Sequence, residues 1–111
     1  MAAKANIVID QGADFSTTIT VYDTADAVVN LEGYTARGQI RKHYTSDTKV
    51  DFTITFTSPR TTGELTLTLT DTVTANMEAG RYVYDVELIN SSNVVSRLVE
   101  GIATVSPEVT R

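Results

Sequence analysis

The sequence has no cysteine and no tryptophan, and only one histidine and two prolines among its 111 residues. Without cysteine there is no disulfide scaffold, no thiolate zinc site and no cysteine nucleophile. The single histidine lies in Arg41-Lys42-His43-Tyr44, beside two bases. Nucleophilic catalysis needs a base oriented by an acid next to an activated nucleophile. No G-x-S-x-G elbow, phosphate-binding glycine loop, HExxH or EF-hand pattern occurs. His43 therefore reads as a solvated loop residue, and the chain as a protein that is not an enzyme.

Long apolar runs are also missing. Nothing approaches the roughly 20 apolar residues that span a bilayer. Asp10 cuts short the apolar run near the amino end, before it reaches the roughly 7–15 residues of a secretory signal. The expectation is a protein made in a cytoplasm, with no membrane partner and no standard amino-terminal export signal. Bases are scarce as well: 9 against 14 acids, for a net charge of −5. Nucleic-acid binding rests on phosphate neutralisation by Lys and Arg, so no nucleic-acid partner is expected.

What is present is alternation with a period of two, the mark of half-buried strands. Val50–Thr57 places apolar residues at every even position, and Leu65–Thr70 at every odd one. Ser58-Pro59-Arg60-Thr61-Thr62-Gly63 between them reads as a hairpin loop. Tyr82, Tyr84, Val86 and Leu88 line one strand face; Phe15, Thr17, Ile19 and Val21 line another; Ala36, Gly38 and Ile40 a third. Asn6–Asp10 reads as a short edge strand and Val94–Val105 as a long one, with Gly101 as the expected bulge. One helical turn is expected over Asp71–Ala79, capped by Asp71 or Thr72 and ended by Gly80. Seven short strands at this spacing predict a single all-β domain over residues 1–111, an immunoglobulin-like antiparallel sandwich of two sheets. A tyrosine near the start of the Tyr82 strand fits the tyrosine corner of such sandwiches. Residues 106–111 lack alternation and read as a terminal arm that orders on binding.

Paired carboxylates at Asp10 and Asp14, and at Asp23 and Asp26, raise the question of calcium. Asp in turns bonds its own backbone, and that reading is preferred, so no metal or cofactor is expected. Threonine fills 19 positions. Thr53, Thr55 and Thr57 would share a face with Thr66, Thr68 and Thr70 if their strands pair; a solvated outer face is preferred to an ice-binding array.

Charge is uneven. Lys4 against five acids gives −4 over residues 1–34, while five bases against Asp47 and Asp51 give +3 over residues 35–60. Residues 61–111 return to −4. Arg37 and Arg41 share the outward face of their strand with Thr35 and Gln39, which reads either as an ordinary solvated face or as a basic stripe that, with exposed strand edges and the terminal segment, is a candidate docking element.

Five segments together resemble a family of small structural proteins of tailed bacteriophages, especially those of marine cyanobacteria. They are Ile9–Ser16, Leu31–Ala36, Gln39–Tyr44, Gly80–Leu88 and the ending from Arg97 through Glu100-Gly101 to Val105–Arg111. More distantly the chain is similar to the immunoglobulin-like amino-terminal domain of upper baseplate proteins in lactococcal phages. The resemblance implies a virion protein, assembled in the host cytoplasm, that binds other virion proteins. Capsid decoration, on the major capsid protein, is favoured over a tail, neck or baseplate adaptor, and a homo-oligomer is compatible with either. The expected docking residues are Arg37, Arg41, Lys42 and Tyr44, with Glu108 and Arg111 in the terminal arm. The alternative is a glycan-binding adhesion module, for which Tyr22, Tyr34 and Tyr44 are the loop aromatics that could stack on sugars.

Overall fold

A computed structural model describes residues 3–109. The chain forms β1 (Ala3–Lys4), β2 (Ile7–Asp10), β3 (Phe15–Thr20), β4 (Thr35–Arg41), β5 (Val50–Asp51) and β6 (Thr53–Phe56). A 3-10 turn at Arg60–Thr62 leads to β7 (Glu64–Leu69), α1 (Asp71–Ala75), β8 (Gly80–Ile89) and β9 (Val95–Ser106). The larger sheet runs β1-β9-β8-β4-β5, with β2 following β1 along the same flank of β9. The smaller sheet is β3-β7-β6. Joining β1 to β2 and β5 to β6 recovers the seven strands of the expected sandwich.

Alternation decides what each sheet buries. Leu65, Leu67 and Leu69 of β7 face Tyr84, Val86 and Leu88 of β8 and Val99, Ala103 and Val105 of β9, all buried. Ile9, Val21, Leu31, Ile40, Phe52 and Met77 complete the core. The Val50–Thr57 segment divides between sheets. The Phe52 amide still bonds Gly38 of β4, whereas Thr53 already pairs with Thr68 of β7. At this crossing the buried Phe52 ring meets Tyr84 edge-on, with centroids 6.0 Å apart.

Four local expectations need correction. The sandwich is not wholly antiparallel, because β1 and β2 run parallel to β9. Strand β2 feeds β3 in the opposite sheet rather than a hairpin partner, so no tight turn forces it to run against its neighbour. The cap of α1 is Thr70, whose hydroxyl accepts the Val73 N–H at 3.4 Å, in place of Asp71 or Thr72. Thr70 still holds the extended backbone that an N-cap requires. The helix ends at Asn76, and Gly80 opens β8 instead of terminating α1. Finally, the bulge in β9 is at Leu98, not Gly101. Val86 pairs with Val99 and Glu87 with Arg97, so Leu98 is the extra residue, while Gly101 pairs in step with Tyr84.

The connection from β7 to β8 is fixed by polar contacts. The buried Thr74 hydroxyl donates to the Ala13 carbonyl at 2.8 Å and accepts the Gly12 N–H at 3.1 Å. The Tyr82 hydroxyl donates to the Glu78 carbonyl four residues upstream, the bond of a tyrosine corner.

Candidate functional site

The outer face of the larger sheet is assembled from the residues that alternate away from the core. On β4 these are Arg37, Gln39 and Arg41, paired across β8 with Glu87, Asp85 and Val83. On β9, Arg97 lies opposite Glu87, Glu100 opposite Asp85, and Ile102 opposite Val83. One row across the three strands alternates in charge, Arg37–Glu87–Arg97, and the next sets the two acids Asp85 and Glu100 opposite each other.

The members of this ladder are tied to one another. Arg37 Nε donates to Glu87 Oε1 at 2.7 Å. Arg97 Nη1 donates to Glu100 Oε2 at 2.8 Å, and Arg97 Nε lies 3.5 Å from Asp85 Oδ2. Arg41 donates to Gln39 Oε1 at 2.9 Å and to the Ser46 carbonyl. On the flanking strand β5, Asp51 is bonded by Lys49 at 3.0 Å.

These contacts shape the titration of the face. Partial burial pushes the Asp85 carboxyl above its ordinary range, with Arg97 pulling it down and Glu87 and Glu100 pushing it further up. The Lys49 hydrogen bond holds Asp51 below that range, and the Glu100 bond raises Arg97. Between β4 and β8 the surface dips into a concavity of about 390 Å³, whose rim includes Arg37, Arg41, Tyr44, Asp85 and Glu100. Tyr44 is 85% exposed.

The expected basic stripe is therefore a mixed surface. Arg37 and Arg41 point outward as the alternation predicts, but acids from β8 and β9 neutralise the field around them. Arg60 takes no part in it: its guanidinium stacks over Phe56 at 4.2 Å and donates to the Tyr34 carbonyl at 2.7 Å. Of the other expected docking residues, Tyr44 joins the concavity. Lys42 is one step past the end of β4, and its ammonium sits 4.6 Å above the Tyr82 ring, beside a second hollow near Met77 and Glu78. Glu108 lies apart from all of these: its N–H donates to Gln11 Oε1 and its carboxylate packs over Gly12. Through Glu108, this part of the terminal arm is docked on the sandwich. Arg111 lies outside the described residues.

The outward members of β8 and β9 differ in how far the sequence shows them. Asp85 and Glu87 follow directly from the inward pattern of Tyr84, Val86 and Leu88. Arg97 and Glu100 do not, because the Leu98 bulge breaks the alternation between them.

The remaining candidates resolve as local structure. Asp23 Oδ1 accepts the Ala25 and Ala27 N–H groups within its own turn. Asp14 Oδ1 accepts the Asp71 N–H at the start of α1. Among the described residues no group of three or more His, Asp or Glu converges to hold a metal. His43 is exposed in the turn after β4. Tyr34 is half-buried against the core, whereas Tyr22 is exposed.

No family model matches the chain, and no curated protein matches it. Among solved structures it is similar to an internalin-like protein of Listeria monocytogenes, with a TM-score of 0.52 and 18% identity over 95% of this chain. The match spans 28% of that longer protein. At this identity the likeness is one of fold, a β-sandwich.

Proposed function

We propose that the chain is a non-enzymatic structural protein of a tailed-phage particle, which docks on another virion protein through the outer face of its larger sheet. The carrying observation is the ion-paired ladder formed by Arg37, Glu87, Arg97, Asp85 and Glu100. Charges held in place by one another lose little further freedom on docking, and their fixed arrangement discriminates partners by complementarity. Tyr44 beside them supplies the exposed aromatic that protein interfaces favour. The virion setting rests on the resemblance of the five sequence segments. Capsid decoration is the specific reading, and a tail, neck or baseplate adaptor is its nearest variant.

Quantitative mass spectrometry of purified particles tests this. Near-equimolar abundance with the major capsid protein is the result for decoration, and a few copies per particle is the result for an adaptor. Absence from the particle overturns the virion reading.

A second reading, a glycan-binding adhesion module, is favoured by the exposure of Tyr44 in the concavity that Arg41 also lines. A glycan array probed with the protein and with Tyr44→Ala separates the two. Sugar binding lost in the variant supports adhesion, and no sugar binding by either protein removes it.

A further inference from the structure

Strand β3 is an open edge. It pairs with β7 on one side, and among the described residues no strand covers its other flank. The phase of the ladder shows which groups are left over. The Val21 N–H donates to the Gly63 carbonyl at 2.8 Å, so Ile19, Thr17 and Phe15 also direct their main-chain groups to β7. The N–H and C=O groups of Ser16, Thr18 and Thr20 consequently point outward along the open flank.

Proteins blunt such edges with charge, proline, bulges or short length. Each other edge shows at least one such device. The β1–β2 edge is interrupted at Ala5–Asn6 and carries Lys4 and Asp10; β5 has two residues, flanked by Lys49. Strand β6 has four residues and bends into the larger sheet at Phe52. Strand β3 has six residues, Phe-Ser-Thr-Thr-Ile-Thr, with no charge, no proline and no register shift. Its inward residues Phe15 and Ile19 are only partly buried, so the margin of the core is also uncovered there.

The surroundings specify the charge of what would cover it. Exposed Asp14 and Asp71 lie at the Phe15 end, and exposed Asp23 and Asp26 follow the Thr20 end. No Lys or Arg occurs between Lys4 and Arg37, nor between Arg60 and Arg81, the stretches that supply β3 and β7. A second copy of this chain would bring the same acids against themselves.

We infer that the β3 edge is a β-augmentation site for an extended segment of a partner protein, separate from the ion-paired face. The segment spans about six residues, or roughly 20 Å. It has apolar residues at alternate positions to cover Phe15 and Ile19, and uncharged residues between them. Lys or Arg at both ends meets the two acidic flanks. Main-chain bonds to Ser16, Thr18 and Thr20 supply affinity, and the basic ends supply specificity.

Two synthetic peptides test this, each with an alternating Val/Thr centre of six residues, one flanked by Lys-Arg pairs and the other by Asp-Glu pairs. Amide hydrogen exchange and chemical-shift titration of the full chain are the readouts. The basic-flanked peptide is expected to protect the Ser16, Thr18 and Thr20 amides and to bind at least about tenfold tighter than the acidic one. Its affinity should fall several-fold as salt rises from about 0.05 to about 0.3 M. The double variant Asp26→Asn/Asp71→Asn keeps the local acceptors and should weaken the basic peptide without altering the fold. Equal binding of the two peptides, or no added protection at those amides, overturns the inference. So does protection of the three amides in the free protein that grows with protein concentration, which would assign the edge to a second copy.

Discussion

Gly101 of β9 lies against the carbonyl of Ala5, so closely that a β-carbon at position 101 would overlap the Ala5 backbone. The same carbonyl accepts the Tyr84 hydroxyl, and the Asn6 side chain accepts the Ile102 N–H at 3.1 Å. Gly101 thus has a use other than a bulge: it lets the link between β1 and β2 sit flat on β9. Gly101→Ala is expected to destabilise the protein by about 1–3 kcal/mol, in the range of overpacking substitutions. Amide exchange should show the Ile7–Ile9 region losing protection first, while the β8–β9 pair keeps its own. Uniform loss of protection would mean that this link does not open as a separate unit.

The tyrosine corner gives a second expectation. The Tyr82 hydroxyl donates to the Glu78 carbonyl at 2.8 Å, tying the segment after α1 to the start of β8. Tyr82→Phe removes that bond and keeps the ring beneath Lys42. The expected loss is about 0.5–1.5 kcal/mol, the net worth of one hydrogen bond, read from urea denaturation. Tyr82→Ala also removes the ring, and should cost clearly more.

These two contacts show where the sequence stops being informative. Alternation over Val50–Thr57, Leu65–Thr70 and Tyr82–Leu88 exposes the strands, because each buries one face. It does not reveal that the first of these runs changes sheets at Phe52, since both sheets bury the same side of the same pattern. Arg37 and Arg41 are legible as outward residues of β4, but the partner of Arg37, Glu87, lies 50 residues further along the chain. The Leu98 bulge conceals the placing of Arg97 between Asp85 and Glu100, because it puts two apolar neighbours where alternation allows one. Local rules of spacing carry the strand faces, and only the three-dimensional pairing carries the ladder.

Asp85 predicts a specific pH response. Partial burial raises its carboxyl above the ordinary range, with Glu87 and Glu100 adding to the push against Arg97. The folded protein therefore holds this proton more tightly than the unfolded chain does. The resulting stability is fully present below the ordinary carboxylate pKa, and is lost as pH rises through the higher folded-state value. Asp85→Asn removes this dependence. Relative to the variant, the parent protein should gain stability as pH is lowered from 7 towards the carboxylate range. At pH 7 the two should differ by no more than about 1 kcal/mol, because the pair with Arg97 is partly solvated. Urea midpoints collected across that range check the sign. A parent that instead loses stability on acidification relative to Asp85→Asn would show that Arg97 outweighs the burial.

The pair Arg37–Glu87 separates stability from docking. Both side chains are partly exposed, so the 2.7 Å contact contributes no more than about 1 kcal/mol to folding. Arg37→Glu places two carboxylates opposite each other on adjacent strands, which should lower stability slightly and weaken particle binding by at least about tenfold. Adding Glu87→Arg restores an ion pair of reversed direction. Stability should return most of the way to that of the parent, because the 37–87 attraction is restored while Arg at position 87 now lies opposite Arg97. Binding should not return, because a partner shaped for the original order meets like charge at both positions. Particle co-sedimentation and thermal melts of the parent, the single variant and the swap check both halves. Full recovery of binding in the swap would mean that the pair serves the sheet alone, and that docking on this face does not read the order of its charges.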